Sequence, residues 1–348
     1  MHTVRVGVIG CGAIAEYVHL PAYKENPMAR LIAVCDINKE RAKKVAEAFE
    51  AESWYIDYKE LLKRDDIDAV SICTPNHLHC EQAVAAAEAG KHILLEKPMA
   101  LTLRECDEII NACKKSGVKL MIGTNSKFDP VYQRVKTLID QGLIGKILII
   151  KHHMAHSGPY KIWPAASDWF FDKDKVGGGC LMDLGSHAFD LLRWLAGDVT
   201  SVMAIGGAFI KKDKKMEDNA LVLLTFKEGM LGEADFSWTY KGGYEVTTEI
   251  IGTEGAIFVE TPRSPITMYS EKIPSEVLKE SKINVRVPMS LSEMMASTKR
   301  KIDHFIECIA EDKEPIVTGE DGRAAVEIIL AAYESMKTGK RIHLPLKY

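Results

Sequence analysis

The first third of the chain predicts an α/β fold, a doubly wound parallel sheet covered by helices. Three observations support this: short β-branched runs alternate with helical stretches, the runs are apolar throughout, and a glycine-rich turn follows the first run. Continuously apolar strands are typical of a parallel sheet that is buried on both faces. Crossovers of this length are right-handed and give the doubly wound order.

The elements alternate from residue 3 to about 123. Strands are predicted at 4–10, 31–36, 69–74, 92–97 and 119–123, and helices at 13–25, 38–49, 76–89 and 102–116. A chain of 348 residues exceeds one typical core. We therefore expect two domains, at 1–123 and 124–348.

Composition and charge exclude several classes of protein. Hydrophobic residues make up 47% and charged residues 27% of the chain, as in globular proteins. The net charge of −4 provides no basic surface for nucleic acid or an anionic membrane. No apolar run approaches the roughly 18–20 residues that span a bilayer, and the chain starts with a strand-like run instead of a signal peptide. The eight cysteines contain no CxxC pair and fit reduced thiols in the cytoplasm.

The sequence GCGAIA at residues 10–15 ends the first strand and opens a helix. In this position the glycines are a dinucleotide-binding signal. Gly10 permits the turn, Gly12 lets the backbone approach a pyrophosphate, and Ala15 lets the helix pack closely on the strand. The helix N-terminus offers free N–H groups to the phosphates. The residues expected to bind the dinucleotide here are Gly10, Gly12, Ala13 and Ile14.

Asp36 ends the second strand. A carboxylate there can accept hydrogen bonds from both hydroxyls of the adenosine ribose, and it repels a 2′-phosphate. Ile37 and Asn38 add no positive charge, although Arg41 follows within a turn. The pattern favours NAD over NADP. Asp36 can also be interpreted as the N-cap of the helix at 38–49.

Two further strand ends lie at the same edge of the predicted sheet. Residues 74–77 follow the third strand, while Glu96 and Lys97 end the fourth, just before a proline. Ligands bind beyond the carboxyl ends of parallel strands, so Lys97 is expected to point towards the nicotinamide. Thr74 or Asn76 can equally be a plain helix N-cap. The residues assigned to the cofactor here are Thr74, Pro75, Asn76, His79, Glu96 and Lys97.

A second group of polar residues lies on a predicted helix that follows three glycines at 177–179. Its core-facing stripe comprises Leu181, Leu184, Ala188, Leu191 and Leu195. A neighbouring stripe at steps of four, three and four comprises Asp183, His187, Asp190 and Trp194. An Asp and a His four residues apart often form only a mild ion pair. The three glycines, however, indicate close approach of the backbone to a ligand or another chain segment.

Together these motifs resemble the glucose–fructose oxidoreductase / inositol dehydrogenase (Gfo/Idh/MocA) family over nearly the whole chain. The resemblance rests on the GxGxxA opening, the Glu-Lys-Pro element at 96–98, and the glycines at 177–179 followed by Asp183 and His187. It implies an N-terminal Rossmann domain that binds NAD. It also implies a C-terminal α/β domain with a large, open, mostly antiparallel sheet, which in such proteins commonly mediates dimers or tetramers.

The second half of the sequence agrees with this implied architecture. Strand-like runs occur at 146–156, 199–209, 219–226, 231–238, 244–252, 255–260 and 266–270, and helices are expected at about 292–311 and 321–337.

The resemblance assigns catalytic roles to Lys97, Asp183 and His187. Oxidation of a secondary alcohol requires removal of its hydroxyl proton as hydride leaves the carbon. A histidine suits general-base work near neutral pH, so His187 is the expected base. Lys97 is expected to stabilise the developing alkoxide, and Asp183 to bind the substrate or orient the histidine.

The segment at 152–175 is rich in histidine and aromatic residues and is the predicted substrate wall. Aromatic faces suit the C–H faces of sugars, and they equally suit an interdomain core. His152 and His153 alternate faces of a strand and cannot both bind one metal, so no metal site is predicted. The basic run at 211–215 is interpreted as a solvated loop. The residues assigned to the substrate are Lys97, His156, Trp163, Trp169, Asp183 and His187.

The sequence therefore predicts a cytoplasmic, NAD-dependent dehydrogenase of a cyclitol, sugar or sugar derivative, inositol-like or pyranose. A homodimer or homotetramer through the C-terminal sheet is expected, with no nucleic-acid or membrane partner. Two alternatives remain open. One is an NAD-dependent glycoside hydrolase that acts by transient oxidation and elimination. The other is a non-catalytic NAD-binding sensor, which would be expected to lose Lys97 or His187, whereas this chain has both.

Overall fold

The chain folds into two compact units built around two β-sheets. A computed structural model describes residues 3–159, 168–210, 216–261, 266–272, 283–285 and 291–347. The first unit comprises Met1–Asn125, Trp163–Gly177 and Thr298–Val326, and the second comprises Ser126–Ile162, Gly178–Ser297 and Glu327–Tyr348. Segments far apart in the sequence therefore build each unit.

The sheet of the first unit has six parallel strands. They are β1 Val4–Ile9, β2 Ala29–Cys35, β3 Ser53–Tyr55, β4 Ala69–Ile72, β5 His92–Leu95 and β6 Leu120–Ile122. Their order is β3-β2-β1-β4-β5-β6, and every pairing is parallel. The order in which strands are added to the sheet reverses between β1 and β4. Ligands of open parallel sheets bind at such a switch point. The predicted doubly wound fold is confirmed.

Helices follow these strands at nearly the predicted positions. They are a π-helical turn Ala15–His19, α1 Leu20–Glu25, α2 Lys39–Phe49, α3 Tyr58–Leu62, a 3₁₀ turn Asn76–Leu78, α4 His79–Glu88 and α5 Leu103–Ser116. Strand β3 and helix α3 were not predicted from the sequence. A three-residue strand and a five-residue helix are too short to show a period of their own.

The sheet of the second unit is large and mostly antiparallel, as expected. Its strands are β7 Ile147–His156, β8 Val199–Gly207, β9 Asn219–Phe226, β10 Leu231–Ser237, β11 Tyr244–Gly252, β12 Gly255–Thr261, β13 Ile266–Ser270, β14 Ile283–Val285 and β15 Ile342–His343. Among the described residues their order is β14-β13-β12-β11-β7-β10-β9-β8-β15. The pair β7–β10 is parallel, and the other pairings are antiparallel.

The remaining helices include the one that carries the second polar group. They are a 3₁₀ turn Ser126–Phe128, α6 Pro130–Asp140, a 3₁₀ turn Asp168–Phe171, α7 Lys173–Val176, α8 Cys180–Ala196, a 3₁₀ turn Lys227–Gly229, α9 Leu291–Ala310 and α10 Gly319–Thr338. The predicted helices at about 292–311 and 321–337 are confirmed. So is the core stripe of α8, since all five of its apolar residues are buried. In the described part of the chain, no helix has the length and apolarity that a membrane crossing requires.

A buried ion pair joins α9 to the first sheet. Lys301, only 1% exposed, places Nζ 2.8 Å from Glu96 Oε1 and donates a second hydrogen bond to the Gly123 carbonyl at 3.0 Å. Burial by itself would raise the pKa of Glu96. The Lys301 ammonium and a hydrogen bond from His19 outweigh that effect and hold this pKa well below its ordinary value. The pair therefore fixes the chain immediately before Lys97.

Replacing Lys301 with Met should lower the free energy of unfolding by about 3–5 kcal/mol, because the buried Glu96 carboxylate loses its charge partner. Lys299 lies on the same helix and pairs with Glu25 at 2.8 Å, but these side chains are 40% and 62% exposed. Lys299→Met should therefore cost less than about 1 kcal/mol. Urea unfolding at neutral pH, followed by circular dichroism, measures both values.

The same comparison has an expected pH dependence. Because the folded-state pKa of Glu96 is lowered, its contribution to stability is present above the ordinary value of 4.5 and is lost as pH falls below it. The difference in the free energy of unfolding between the wild type and Lys301→Met should therefore become smaller at acidic pH. If Lys301→Met and Lys299→Met lowered the free energy of unfolding equally at neutral pH, the proposed contribution of the buried pair to stability would be contradicted.

Candidate active site

The two glycines of the first turn have different structural roles. Gly10 has φ +93°, and a Cβ there would lie 2.6 Å from the Cys73 carbonyl oxygen, so the fold requires glycine. A Cβ on Gly12 would meet no described atom within 4 Å. The backbone at Gly12 is therefore open to an approaching group, which fits the pyrophosphate of a dinucleotide.

The predicted helix at 13–25 is present and contains a π-helical turn, Ala15–His19. Ala13 and Ile14 are half-buried at its start, and Ala15 is fully buried. The Glu16 N–H donates to the Gly12 carbonyl at 3.0 Å. Single π turns inside helices are frequent at functional sites.

Asp36 is held by the glycine turn itself. One carboxylate oxygen accepts the Cys11 N–H at 3.0 Å, and the other accepts the Asn38 N–H at 2.8 Å. Arg41 Nη1 lies 3.5 Å from Asp36 Oδ2. The interpretation of Asp36 as the N-cap of α2 was wrong, because the Asn38 side chain accepts the Arg41 N–H and is the cap.

Side-chain hydrogen bonds fix the residues that follow β4. Thr74 Oγ1 donates to Gln82 Oε1 at 2.6 Å, and the buried Asn76 donates from Nδ2 to the Val176 carbonyl at 2.8 Å. Neither side chain caps the 3₁₀ turn that starts at Asn76, or α4 after it, so their interpretation as N-caps was wrong. Pro75 occupies the position before the turn.

His79 links the ends of β4 and β5. Its ring nitrogens lie 2.8 Å from the Pro98 carbonyl and 3.0 Å from the Thr74 carbonyl. The ring is fully buried, and burial lowers its pKa, so it stays neutral. His79 therefore connects the turn after Lys97 to the end of β4.

Glu96 turns into the core, and Lys97 follows it. Besides Lys301, Glu96 accepts a hydrogen bond from His19 Nε2 at 2.9 Å. Burial lowers the pKa of His19, whose Nδ1 then accepts from the Ser71 hydroxyl at 3.0 Å. Lys97 is half-buried at the carboxyl end of β5, and its peptide bond to the following proline is cis.

In the second unit, the close approach indicated by the three glycines is to another chain segment. A Cβ on Gly178 would overlap the Tyr333 hydroxyl, and one on Gly179 would overlap the Glu217 carbonyl. Glu217 Oε1 accepts from the Gly179 N–H at 2.9 Å, the Leu181 N–H at 3.1 Å and the Tyr333 hydroxyl at 2.8 Å. A buried carboxylate from elsewhere in the chain thus caps α8 and fixes its start.

Asp183 and His187 are half-buried one turn apart on α8. Asp183 Oδ2 lies 3.1 Å from Trp238 Nε1 and 3.4 Å from His156 Nε2, so the structure brings His156 to Asp183. Trp238 was not identified from the sequence, because its partner is 55 residues away. These groups form a polar cluster around the start of α8.

Asp190 lies on the same helical stripe but is buried. Lys127 from the 3₁₀ turn Ser126–Phe128 covers this part of α8, and its Nζ lies 3.0 Å from Asp190 Oδ1. Asp190 is therefore covered, whereas Asp183 on the same stripe is half-buried. Helical spacing gives the direction of a side chain but not what packs on it.

The histidines of β7 alternate faces, as predicted. His152 is buried with Nδ1 2.9 Å from Thr248 Oγ1, and burial lowers its pKa to about 4. His153, on the other face, pairs with Asp235, and this hydrogen bond raises its pKa. Within the ranges that the structure describes, no three His, Cys, Asp or Glu side chains are grouped to hold a metal ion.

Of the two tryptophans predicted to bind substrate, only Trp169 is among the described residues. Trp169 is half-buried, with its ring centre 4.3 Å from that of Phe170. Trp163 lies outside the described residues, as does the basic run at 211–215.

Two family models match the chain. Residues 4–124 match the oxidoreductase family GFO/IDH/MocA, NAD-binding Rossmann fold, and residues 132–258 match the GFO/IDH/MocA C-terminal domain.

Individual proteins are similar over the full length. The chain is 33% identical to the scyllo-inositol 2-dehydrogenase (NAD(+)) of Bacillus subtilis, covering 99% of this chain and 98% of that protein. It is 29% identical to the myo-inositol 2-dehydrogenase of Thermotoga maritima, covering 98% of each. A solved structure of levoglucosan dehydrogenase in complex with NADH superimposes with a TM-score of 0.89 at 26% identity, covering 99% of this chain and 100% of that one.

The two glycines of the first turn predict opposite outcomes for the same substitution. Gly12→Ala should leave thermal stability within about 0.5 kcal/mol of the wild type, since its Cβ meets no described atom. It should weaken NAD binding at least about tenfold, because the methyl group occupies the open space at the turn. Gly10→Ala should destabilise the protein by more than about 1 kcal/mol. Thermal melts and calorimetric titration with NAD separate the effects, and unchanged NAD affinity in Gly12→Ala would contradict this site.

Proposed function

The chain belongs to the GFO/IDH/MocA oxidoreductase family, and we propose that it oxidises a ring alcohol of an inositol or a pyranose with Lys97, Asp183 and His187 as catalytic residues. It is an NAD-dependent dehydrogenase of a sugar or cyclitol. The observation that carries the assignment of residues is the pair Asp183 and His187, half-buried one turn apart on a helix whose start is fixed by a buried carboxylate.

The residues of the first turn fit NAD. Gly12 presents an open backbone, and Asp36 presents a carboxylate beside the turn, 3.0 Å from the Cys11 N–H. We propose that Asp36 binds the adenosine ribose, while Thr74, Pro75 and Asn76 line the end of β4. When bound, the nicotinamide ring of NAD accepts the hydride.

The protein side chains then have separate tasks. His187 removes the proton of the reacting hydroxyl, since a neutral imidazole is a base near neutral pH. Asp183 orients the substrate or the histidine through hydrogen bonds. Lys97 stabilises the negative charge that develops on the alcohol oxygen.

The substrate class follows from chemistry and from the relatives. Inositols and pyranoses both present secondary alcohols on a six-membered ring, and proteins named for inositol are similar over almost the entire chain. The test is near-ultraviolet absorbance of reduced cofactor with NAD and then NADP across inositols, hexoses, uronic acids and glycosides. Reduction of NAD by an inositol or pyranose supports the proposal. Reduction only by open-chain or other alcohols, or cleavage of a glycoside without net reduction, would overturn it.

Replacing Lys97 with Met should lower kcat at least about 100-fold while leaving the Kd for NAD within about threefold, because the charge acts mainly on the developing alkoxide. The matched control is Lys63→Met, which removes an exposed lysine paired with Glu60 at the surface of α3. Steady-state kinetics and calorimetry give both constants. Wild-type turnover in Lys97→Met would remove this lysine from the mechanism.

We also propose that a second copy of the chain covers part of the second sheet. Four exposed apolar side chains lie side by side on β8 and β9, with Met203 opposite Leu223 and Ile205 opposite Leu221. Contiguous exposed apolar surface of this kind is typical of protein–protein interfaces.

The double substitution Ile205→Glu with Leu223→Glu should therefore reduce the mass of the assembly in solution to that of a monomer, by placing unpaired charges in the interface. Light scattering coupled to size-exclusion chromatography measures this mass. Ile56→Glu alters an exposed apolar residue of the first unit and serves as the control. A wild-type protein that is already monomeric would refute the proposed interface.

We propose the cytoplasm, a reducing compartment, as its location. All eight cysteines are free, and seven of them are buried. Burial raises the pKa of the thiols in the sheet core, as for Cys35 to about 12, which keeps them unreactive.

A further inference from the structure

Two nitrogen donors meet at one oxygen of Asp183. Trp238 Nε1 lies 3.1 Å and His156 Nε2 lies 3.4 Å from Asp183 Oδ2. We infer that Trp238 and His156 are positioning residues, which fix the orientation of the Asp183 carboxylate and favour its ionised form. The inference rests on the proposed role of Asp183 in the reaction.

The proton on His156 is located by its second hydrogen bond. The Gly158 N–H donates to His156 Nδ1 at 2.9 Å, so Nδ1 is an acceptor without a proton. A neutral ring then carries its proton on Nε2, which faces Asp183. His156, expected from the sequence to bind substrate, has both ring nitrogens engaged within the protein.

The Trp238 indole is a hydrogen-bond donor whose orientation is fixed by its burial. The indole is 2% exposed, its backbone N–H donates to the Asp218 carbonyl at 2.8 Å, and its ring lies nearly parallel to that of His156 at 6.4 Å. An indole N–H can only donate. Asp183 therefore faces a fixed donor at the end of β10.

Among the described residues, titratable groups near Asp183 include Cys180 and His187 on its own helix and Tyr244 on β11. Burial, followed by the charges of Glu217, Asp183 and Asp218, raises the pKa of Cys180. Burial, followed by the charges of Asp129 and Asp183, raises the pKa of Tyr244, so both groups stay neutral. Two N–H donors thus face the Asp183 carboxylate, and the neutral Cys180 and Tyr244 add no positive charge beside it. Donors to a carboxylate favour its charged form, and loss of one makes it take up a proton at higher pH.

The first test is the pH profile of kcat/KM for Trp238→Phe, which keeps an aromatic ring and removes the N–H. Protonation of the proposed base His187 sets the start of the acid limb, and protonation of Asp183 adds a second, steeper part. That steeper part should move to higher pH by about one unit, and kcat should fall about tenfold with KM changed less. The control is Phe226→Leu, which removes packing from a buried position of β9. It should lower thermal stability without moving the acid limb. A wild-type acid limb in Trp238→Phe would overturn the inference.

The second test needs neither substrate nor activity. The chain has five tryptophans, so ¹⁵N-tryptophan labelling gives a simple spectrum in which the Trp238 indole signal is identified by its absence from Trp238→Phe. That signal should move with pH in the wild type and stop moving in Asp183→Asn. A Trp238 signal that is the same in both proteins would overturn the inference. Absence of dehydrogenase activity in a wild type with a normal titration would instead refute the proposed function alone.

Discussion

The ion pair between Glu96 and Lys301 positions the parts of the first unit that meet at its ligand edge. It connects residues 205 positions apart, and the same carboxylate accepts a hydrogen bond from His19 in the π turn. Two buried charges are stable only when their hydrogen bonds are satisfied, and here His19 and the Gly123 carbonyl complete them. Because Glu96 is fixed inward, the glycine turn, helix α9 and the chain carrying Lys97 are set together.

The second unit uses a buried carboxylate for a related purpose, with different chemistry. Glu217 receives two backbone N–H groups and a tyrosine hydroxyl, all neutral donors, and burial raises its pKa. It replaces the side-chain cap that α8 lacks and sets the first turn of the helix, where Asp183 lies. In each unit a proposed catalytic residue therefore follows closely on a backbone segment that a buried glutamate holds.

Local patterns were enough to predict the repeating strands and helices, because periodicity and turn residues are properties of neighbouring positions. They also located Gly10, Gly12 and the core stripe of α8. Local patterns could not identify partners that are far away in sequence. These partners are Lys301 for Glu96, Trp238 for Asp183, and Lys127, which covers Asp190. The three glycines indicated a close approach, but the sequence could not identify Glu217 and Tyr333 as the groups that approach.

The proposed reaction moves a hydride from a ring carbon of a cyclitol or sugar to NAD. The most direct measurement uses an inositol or pyranose deuterated on its ring carbons, with mass spectrometry and NMR of the cofactor after reaction. Deuterium at C4 of the reduced nicotinamide, in one stereochemical position, is the predicted result. Reduced cofactor without deuterium, or no reduced cofactor with any such ring alcohol, would contradict the account.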